Sequence, residues 1–227
     1  MNKFIVASNK TWHKTTFDKV TKESDSLWLF ISTPEDLAAA LLDEKNPSYI
    51  FFLHWSWIVP TEIFQQHECV CFHMTDLPYG RGGSPLQNLI LSGNTETKIT
   101  AFQMIDEVDA GPVYAKRSLK LDGRAEDIYL RAGELCWEMI NWIIENQPIP
   151  IPQQGQPFFY SRRKPEQSLL PKNGTLIDIY NFIRMLDAPT YPLAFIEHGD
   201  FRINFSHANF SENSLEASVT IQKRVPR

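Results

Sequence analysis

One histidine lies in a segment rich in glycine and proline, which reads C-F-H-M-T-D-L-P-Y-G-R-G-G-S-P from residue 71 to residue 85. His73 is a candidate catalytic base there, because catalytic side chains are often carried on loops that a rigid scaffold positions. The segment D-E-V-D-A-G-P at 106–112 places Asp109 thirty-six residues after His73 and two residues before a glycine. A carboxylate can orient an imidazole and stabilise its charged form, although an aspartate near glycine also caps turns. The two residues together predict proton transfer at a histidine–aspartate site.

Alternating strand and helix patterns predict the scaffold that positions these residues. Extended apolar runs at 4–7, 26–31, 49–54 and 70–73 indicate strands, and residues 34–42, which follow the capping residue Thr33, indicate a helix. Such alternation predicts an α/β fold with a Rossmann-like, mostly parallel sheet. Ligands of these sheets bind at the carboxyl ends of the strands, where His54 and His73 are expected.

The remaining patterns divide the chain into a catalytic domain and a small subdomain. Residues 85–92 indicate a helix, 99–105 a strand that ends before Asp109, and 124–146 a long amphipathic helix. The run P-I-P-I-P-Q-Q-G-Q-P at 148–157 cannot be helical and predicts a boundary between domains at 1–150 and 151–227. The second domain is predicted to be mainly β, with a helix at 176–186 and strands at 193–197, 201–205 and 217–222. Neither a G-x-G-x-x-G motif nor a P-loop occurs.

Composition limits the classes of partner. The chain of 227 residues has a formal net charge of −5, which argues against a binder of nucleic acid, since phosphate contacts need clustered Lys and Arg. No apolar run approaches the roughly twenty residues of a membrane span, and the N-terminal apolar run is too short for a signal peptide, so a cytoplasmic location is expected. The three cysteines lack C-x-x-C spacing, which favours reduced thiols and no metal site.

The motif residues resemble those of the formyltransferases that use 10-formyltetrahydrofolate. The signature of that family is N-x-H-x-S-L-L-P-x-Y-R-G, followed by a loop that ends in D-x-G. The matching positions are His73, Leu77, Pro78, Arg81, Gly82, Asp109 and Gly111. Thr75 stands in for the serine, while Asp76 and Gly80 depart from the pattern. The resemblance implies a formyltransferase fold with a shortened N-terminus and 10-formyltetrahydrofolate as co-substrate.

The C-terminal part resembles the small nucleotide-sugar N-formyltransferases, through residues 163–166 and the run I-Y-N-F-I-R-M-L-D-A-P-T-Y-P-L-A-F at 179–195. Similar members are the formyltransferase of pseudaminic-acid pathways and the formylation domain of some nonribosomal peptide synthetases. The implied substrate is the primary amine of a nucleotide-linked amino-deoxysugar, for example a UDP-4-amino-4,6-dideoxy sugar destined for a surface glycan. The alternatives are formylation of glycinamide ribotide or another small amine, and a non-catalytic folate- or nucleotide-binding relative. The chain is acidic and short for initiator-tRNA formylation, and its apolar C-terminal strands leave a homodimer open.

The resemblance also implies roles for individual residues. The pterin is expected beside Ile58, Val59, Pro60, Ile105, Asp106 and Val108, and the acceptor beside Tyr79, Arg81, Arg162, Arg163, Lys164 and Tyr191. Cys71 occupies the position of the family asparagine, whose amide donates a hydrogen bond to the oxyanion, and a thiol is a much weaker donor. His54 is a substitute for that amide or else a buried side chain bonded to a carbonyl. His13, His67, His198 and His207 are interpreted as surface or core residues.

Overall fold

The computed structural model describes residues 2–43, 45–189 and 191–224. Helices and strands follow in this order: β1 (Lys3–Ala7), α1 (Thr11–Val20), β2 (Leu27–Ile31), α2 (Pro34–Leu41), β3 (Tyr49–Leu53), α3 (Thr61–Gln66), β4 (Cys69–His73), β5 (Tyr79–Gly82), α4 (Pro85–Leu91), β6 (Glu96–Gln103), β7 (Val113–Lys120), α5 (Ala125–Asn146), β8 (Phe158–Tyr160), α6 (Leu176–Arg184), β9 (Ala194–His198), β10 (Phe201–Phe210) and β11 (Leu215–Lys223).

Two compact units divide the chain. The first consists of Met1–Gly82, Lys98–Leu119 and Leu130–Phe159, and the second of Gly83–Thr97, Lys120–Tyr129 and Tyr160–Arg227. The proline-rich segment 148–157 thus falls within the first unit, where Ile151 bridges Val113 through two backbone hydrogen bonds of 2.7 and 2.9 Å. The second unit takes segments from both sides of residue 150.

The large sheet confirms the predicted α/β class. Its strands in the described residues are ordered β2-β1-β3-β4-β6-β7, with β1 to β4 parallel and β6 antiparallel to β4. One apolar cluster on this sheet includes Ile5, Ile50, Phe52 and Cys69, all at most 2% exposed. Parallel strands must be buried on both faces, which explains their continuous apolar runs.

Helix α1 and the pairing of β5 are among the features of the first unit that were not predicted. Residues of α1 carry a weak apolar pattern, yet His13 and Phe17 are four residues apart and both buried, which is the spacing of one helix face. Strand β5, which contains the glycine turn after His73, pairs with β8 in a separate two-stranded sheet. The long predicted helix is confirmed, as α5 covers Ala125–Asn146.

The second unit contains the antiparallel sheet β11-β10-β9, in agreement with a mainly β C-terminal part. Its helix α6 begins at a capping box, in which the Thr175 hydroxyl accepts from the Asp178 backbone N–H and the Asp178 carboxylate accepts from that of Thr175. Strand β9 has the predicted length, whereas β10 and β11 are longer than the runs predicted from sequence, because their pairing continues beyond a register shift between Ser206 and Asn209.

Candidate active site

His73 ends β4 and is held by the glycine turn that follows it. Its Nε2 lies 2.8 Å from the carbonyl oxygen of Gly80, and because a carbonyl can only accept, Nε2 carries a proton. The Thr75 hydroxyl donates to the same carbonyl at 3.3 Å. Gly80 has a φ of 77° and Gly82 a φ of 97°, a region that glycine enters at little cost. The glycines of the motif therefore allow the turn that fixes the imidazole.

Asp109 meets His73 within the first unit, as the spacing of the two motifs suggested. Its Oδ2 accepts a hydrogen bond from the Gly82 backbone N–H at 2.8 Å and lies 3.7 Å from Nδ1 of His73. The His73 and Asp109 side chains are 11% and 17% exposed. At 3.7 Å the two groups form an ion pair when the imidazole is charged, and the separation is too long for a hydrogen bond.

A steric constraint explains why position 111, the last of the D-A-G motif, is a glycine. A Cβ atom added to Gly111 would lie 1.7 Å from the Gln103 carbonyl oxygen, so the loop passes against the end of β6 where no side chain fits. Asp109 itself has a φ of 54°, which is uncommon outside glycine but tolerated by aspartate. The backbone of this loop is thus built to bring the Asp109 carboxylate back toward Gly82.

Cys71 lies two residues before His73 on the same strand and is partly buried. Burial, together with the charge of Asp109 and the neighbouring Cys69, raises the pKa of the Cys71 thiol well above its usual value. The thiol therefore keeps its proton and acts at best as a weak donor. Burial likewise raises the pKa of Cys69 to about 12.

His54 follows β3 and is bonded to another histidine. Its Nδ1 lies 2.8 Å from Nε2 of His13, and its Nε2 lies 3.1 Å from the Met74 sulfur. Burial and the positive charge of Lys10, together with His73, lower the pKa of His54 to about 4. His54 is therefore neutral at physiological pH. His13, interpreted from sequence as a surface or core residue, is a buried partner of this second imidazole.

The two segments predicted to hold the pterin lie side by side. The Thr61 hydroxyl, one residue after Pro60, donates to the Asp106 carboxylate at 3.4 Å. Val59 belongs to the apolar core, whereas Ile58 and Val108 are 96% and 70% exposed and Ile105 is also exposed. Exposed apolar side chains on adjoining loops suit a flat apolar ligand.

Arg81 is buried and forms hydrogen bonds with side chains of two other segments of the first unit. Its guanidinium donates to Glu107 at 2.8 Å and to the side-chain oxygen of Gln153 at 2.9 and 3.3 Å, and the residue is 8% exposed. Gln153 in turn donates to the backbone carbonyls of Asp109 at 2.8 Å and Gly111 at 2.9 Å. Sequence reasoning missed Gln153, since nothing in a proline- and glutamine-rich run distinguishes one glutamine from its neighbours. Tyr79, also predicted for the acceptor, stacks on Phe158 with ring centroids 5.1 Å apart.

The other residues predicted to bind the acceptor belong to the second unit. Arg163 donates to the Gln167 carbonyl at 2.5 Å and lies over the Phe182 ring, while Arg162 and Lys164 are exposed. Burial lowers the pKa of Arg163. Tyr191 donates to Gln87 at 3.4 Å. The roles of these residues toward a substrate stay predictions.

Within residues 2–43, 45–189 and 191–224, no group of three or more His, Cys, Asp or Glu side chains is arranged to hold a metal ion. In the same part of the chain, no helix is both long enough and apolar enough to cross a bilayer.

Comparison with known families identifies two matching profiles. Residues 18–131 match the formyl transferase family, and residues 165–222 match the C-terminal domain described as that of methionyl-tRNA formyltransferase. The first match contains His54, Cys71, His73 and Asp109, and covers half of the chain.

Solved structures with the same fold are similar over nearly the whole chain. A methionyl-tRNA formyltransferase from Clostridium thermocellum is 42% identical, covers 99% of this chain and 100% of its own, and superimposes with a TM-score of 0.95. HypX from Aquifex aeolicus in complex with tetrahydrofolic acid is 15% identical, with a TM-score of 0.73 over 92% of this chain and 38% of its own. A 4-N formyltransferase from Francisella tularensis is 17% identical, with a TM-score of 0.67 over 87% of this chain and 93% of its own. The last two similarities concern the fold alone.

Proposed function

Because this chain belongs to the formyl transferase family, we propose that it transfers a formyl group to the primary amine of a nucleotide-linked amino-deoxysugar. Formyl transfer, and 10-formyltetrahydrofolate as the donor, follow from the family itself. The choice of a sugar amine as acceptor is our proposal. It depends on the charge of the C-terminal segment, because the chemistry at His73 is the same for any primary amine.

The loops beside the two histidines fit a folate. The exposed apolar side chains of Ile58, Ile105 and Val108 offer contact for a flat ring, and main-chain groups of both loops can bond to its polar edge. Asp106, held by Thr61, would lie at the same edge. When bound, 10-formyltetrahydrofolate supplies the formyl group, which passes to the acceptor nitrogen while the proton lost by that amine replaces it on the donor nitrogen.

His73 is the group that moves the proton. Since Nε2 already donates to the Gly80 carbonyl, Nδ1 is the ring nitrogen left to accept the proton of the attacking amine. Once both nitrogens are protonated, the imidazolium lies 3.7 Å from the Asp109 carboxylate in a mostly buried site. Asp109 then stabilises the charge that the reaction creates, as carboxylates paired with catalytic histidines do.

The acidic character of residues 165–222 is the observation on which we base the choice of a small acceptor. Residues 165–222, which match the C-terminal domain, contain three Lys or Arg against seven Asp or Glu. Arg184 is buried, donating to the carbonyls of Leu121 and Gly123, and Arg202 lies 3.9 Å from the centre of the Phe195 ring. A surface that grips a tRNA needs several cations free to meet phosphates. This acidic segment supports a small acceptor instead.

Methionyl-tRNA is the second candidate acceptor, and a specific observation favours it. The relative that is 42% identical over 99% of this chain carries that name, as does the profile matched by residues 165–222. The two acceptors share a primary amine and therefore the same chemistry at His73. They differ in size and in the number of phosphates that must be bound.

The test compares the two kinds of acceptor in separate reactions. Purified protein is incubated with 10-formyltetrahydrofolate and either a panel of UDP-, dTDP- and GDP-linked 4-amino-4,6-dideoxy sugars or charged initiator tRNA, and products are read by mass. The Asp109→Asn variant serves as the low-activity control. We expect formyl transfer to a sugar amine and none to methionyl-tRNA. Formylation of the tRNA alone would replace our proposal with the second candidate.

A further inference from the structure

The backbone of His54 is held in a conformation that side-chain-bearing residues seldom adopt. Its φ is 50°, in the left-handed region, and such positions recur at functional sites where the surrounding structure enforces them. Leu53 pairs with Phe72 on the neighbouring parallel strand, so His54 follows at the level of His73. The two imidazoles therefore leave the same edge of the sheet from adjacent strands.

The hydrogen bond from His13 determines where His54 carries its proton. His13 is fully buried on α1, and its ring stacks on that of His54 with centroids 5.1 Å apart. Among the described residues, Nδ1 of His13 has no hydrogen-bond partner. Buried donors without a partner are rarer than under-satisfied acceptors, which places the His13 proton on Nε2. That N–H donates to Nδ1 of His54 at 2.8 Å, so the proton of His54 lies on Nε2.

The Nε2–H group of His54 meets a weak acceptor. The Met74 sulfur lies 3.1 Å from this nitrogen, and a thioether accepts hydrogen bonds poorly. Met74 follows His73 directly, so the ring edge of His54 ends beside the segment that carries the catalytic base. A donor bonded to so weak an acceptor can turn to a better one when it is bound nearby.

Acyl transfer to an amine places negative charge on the carbonyl oxygen, and preorganised donors at that oxygen are a large part of catalysis. We propose that Nε2–H of His54 donates to the formyl oxygen as this charge develops, and that His13 is a positioning residue that holds His54 in the required tautomer. The neutral Cys71 thiol is too weak a donor for this task. The proposal rests on formyl transfer and not on the identity of the acceptor.

Paired substitutions test the donor. The side-chain nitrogen of glutamine can occupy the position of histidine Nε2, whereas the shorter side chain of asparagine reaches only the position of Nδ1. Asparagine also tolerates the left-handed backbone of residue 54, so His54→Asn removes the donor without adding backbone strain. We expect His54→Asn to lower kcat by on the order of 10²-fold and His54→Gln to stay within about tenfold of wild type. Equal losses in both variants, or no loss in His54→Asn, would overturn the donor role.

A compensating substitution uses the neighbouring strand. Cys71→Asn introduces an amide donor on β4, on the strand beside His54. In the His54→Asn background it should recover at least about tenfold of the lost kcat, because either donor serves the same oxygen. Absence of any recovery, with both variants folded by thermal unfolding, would count against a shared task.

The tautomers can be read without any acceptor. Protein labelled with ¹⁵N-histidine and recorded by long-range ¹H–¹⁵N correlation should show His54 protonated on Nε2 and unprotonated on Nδ1. His13→Met should shift His54 toward the Nδ1–H form and lower kcat, and His13→Gln, which keeps a donor at the same place, should restore both. A wild-type His54 protonated on Nδ1 overturns the proposal even if every acceptor tested proves wrong. An inactive wild type with the expected tautomer would instead refute the proposed acceptor alone.

Discussion

Removing the charge of Asp109 while keeping its shape tests the mechanism most directly. In Asp109→Asn the side-chain oxygen can still accept from the Gly82 N–H, which lies 2.8 Å from the carboxylate, so the loop should keep its conformation. What disappears is the negative charge 3.7 Å from Nδ1 of His73. At an effective dielectric constant of about 20, two unit charges at that separation attract by about 4.5 kcal/mol. If the imidazolium is formed in the transition state, the loss corresponds to a decrease of up to roughly 10³-fold in kcat.

The assay is steady-state formyl transfer with saturating donor, followed by tetrahydrofolate release and product mass. Glu107→Gln is a matched control, since it removes the same charge from the same loop at a side chain that is 67% exposed, and the amide oxygen can still accept from Arg81. We expect that control to stay within about threefold of wild type, because solvent screens the charge of an exposed carboxylate. A kcat of Asp109→Asn within about tenfold of wild type would refute the view that this charge stabilises a protonated His73. Thermal unfolding of both variants separates a catalytic loss from a folding defect.

Three further outcomes are expected from the same site. Gly111→Ala should lower the free energy of unfolding by about 1–3 kcal/mol and reduce kcat, because its Cβ would lie 1.7 Å from the Gln103 carbonyl oxygen. Urea denaturation measures the free energy of unfolding, and an unchanged value would contradict the predicted clash. Gln153→Leu should reduce kcat by about tenfold with little change in KM, since it frees the Asp109 loop; a change in KM alone would point to a binding role instead. His54, with a pKa of about 4 when folded against about 6.5 when unfolded, should make the protein less stable as pH falls between those values, because the unfolded chain alone binds the proton. Denaturation at pH 7, 6 and 5 checks this, and His54→Asn should show a shallower dependence; equal slopes would contradict it.

The sequence was sufficient for the scaffold and for the two central residues. Strong apolar runs at β1, β3 and β4 predict buried strands, because a strand covered on both faces needs apolar residues throughout. Helix α1 was missed because its pattern is dominated by polar and β-branched residues, and the helix depends on the burial of His13 and Phe17 against other elements. His73 and Asp109 could be found because glycine turns and motif spacing mark them.

The supporting residues could not be found in that way. Gln153 and His13 act through long-range hydrogen bonds, for example to Asp109 and His54, which are 44 and 41 residues away in sequence. Periodicity reports which face of an element is buried, but it carries no information on which polar atom meets which. Arg81 illustrates the same limit, since neither the motif nor the resemblance indicated its hydrogen bonds to Glu107 and Gln153, and its role toward a substrate stays a prediction.

The two imidazoles at the edge of the sheet have different tasks because their surroundings differ. His73 faces a carboxylate, so a proton gained on Nδ1 is stabilised where it is needed for an attacking amine. His54 faces another imidazole, a thioether and the positive charge of Lys10, and none of these favours a second proton on its ring. Titratable groups that are driven apart by their environments can divide the work of one reaction. One histidine can then take up the proton while the other, neutral at physiological pH, offers a hydrogen bond to the oxygen on which negative charge collects.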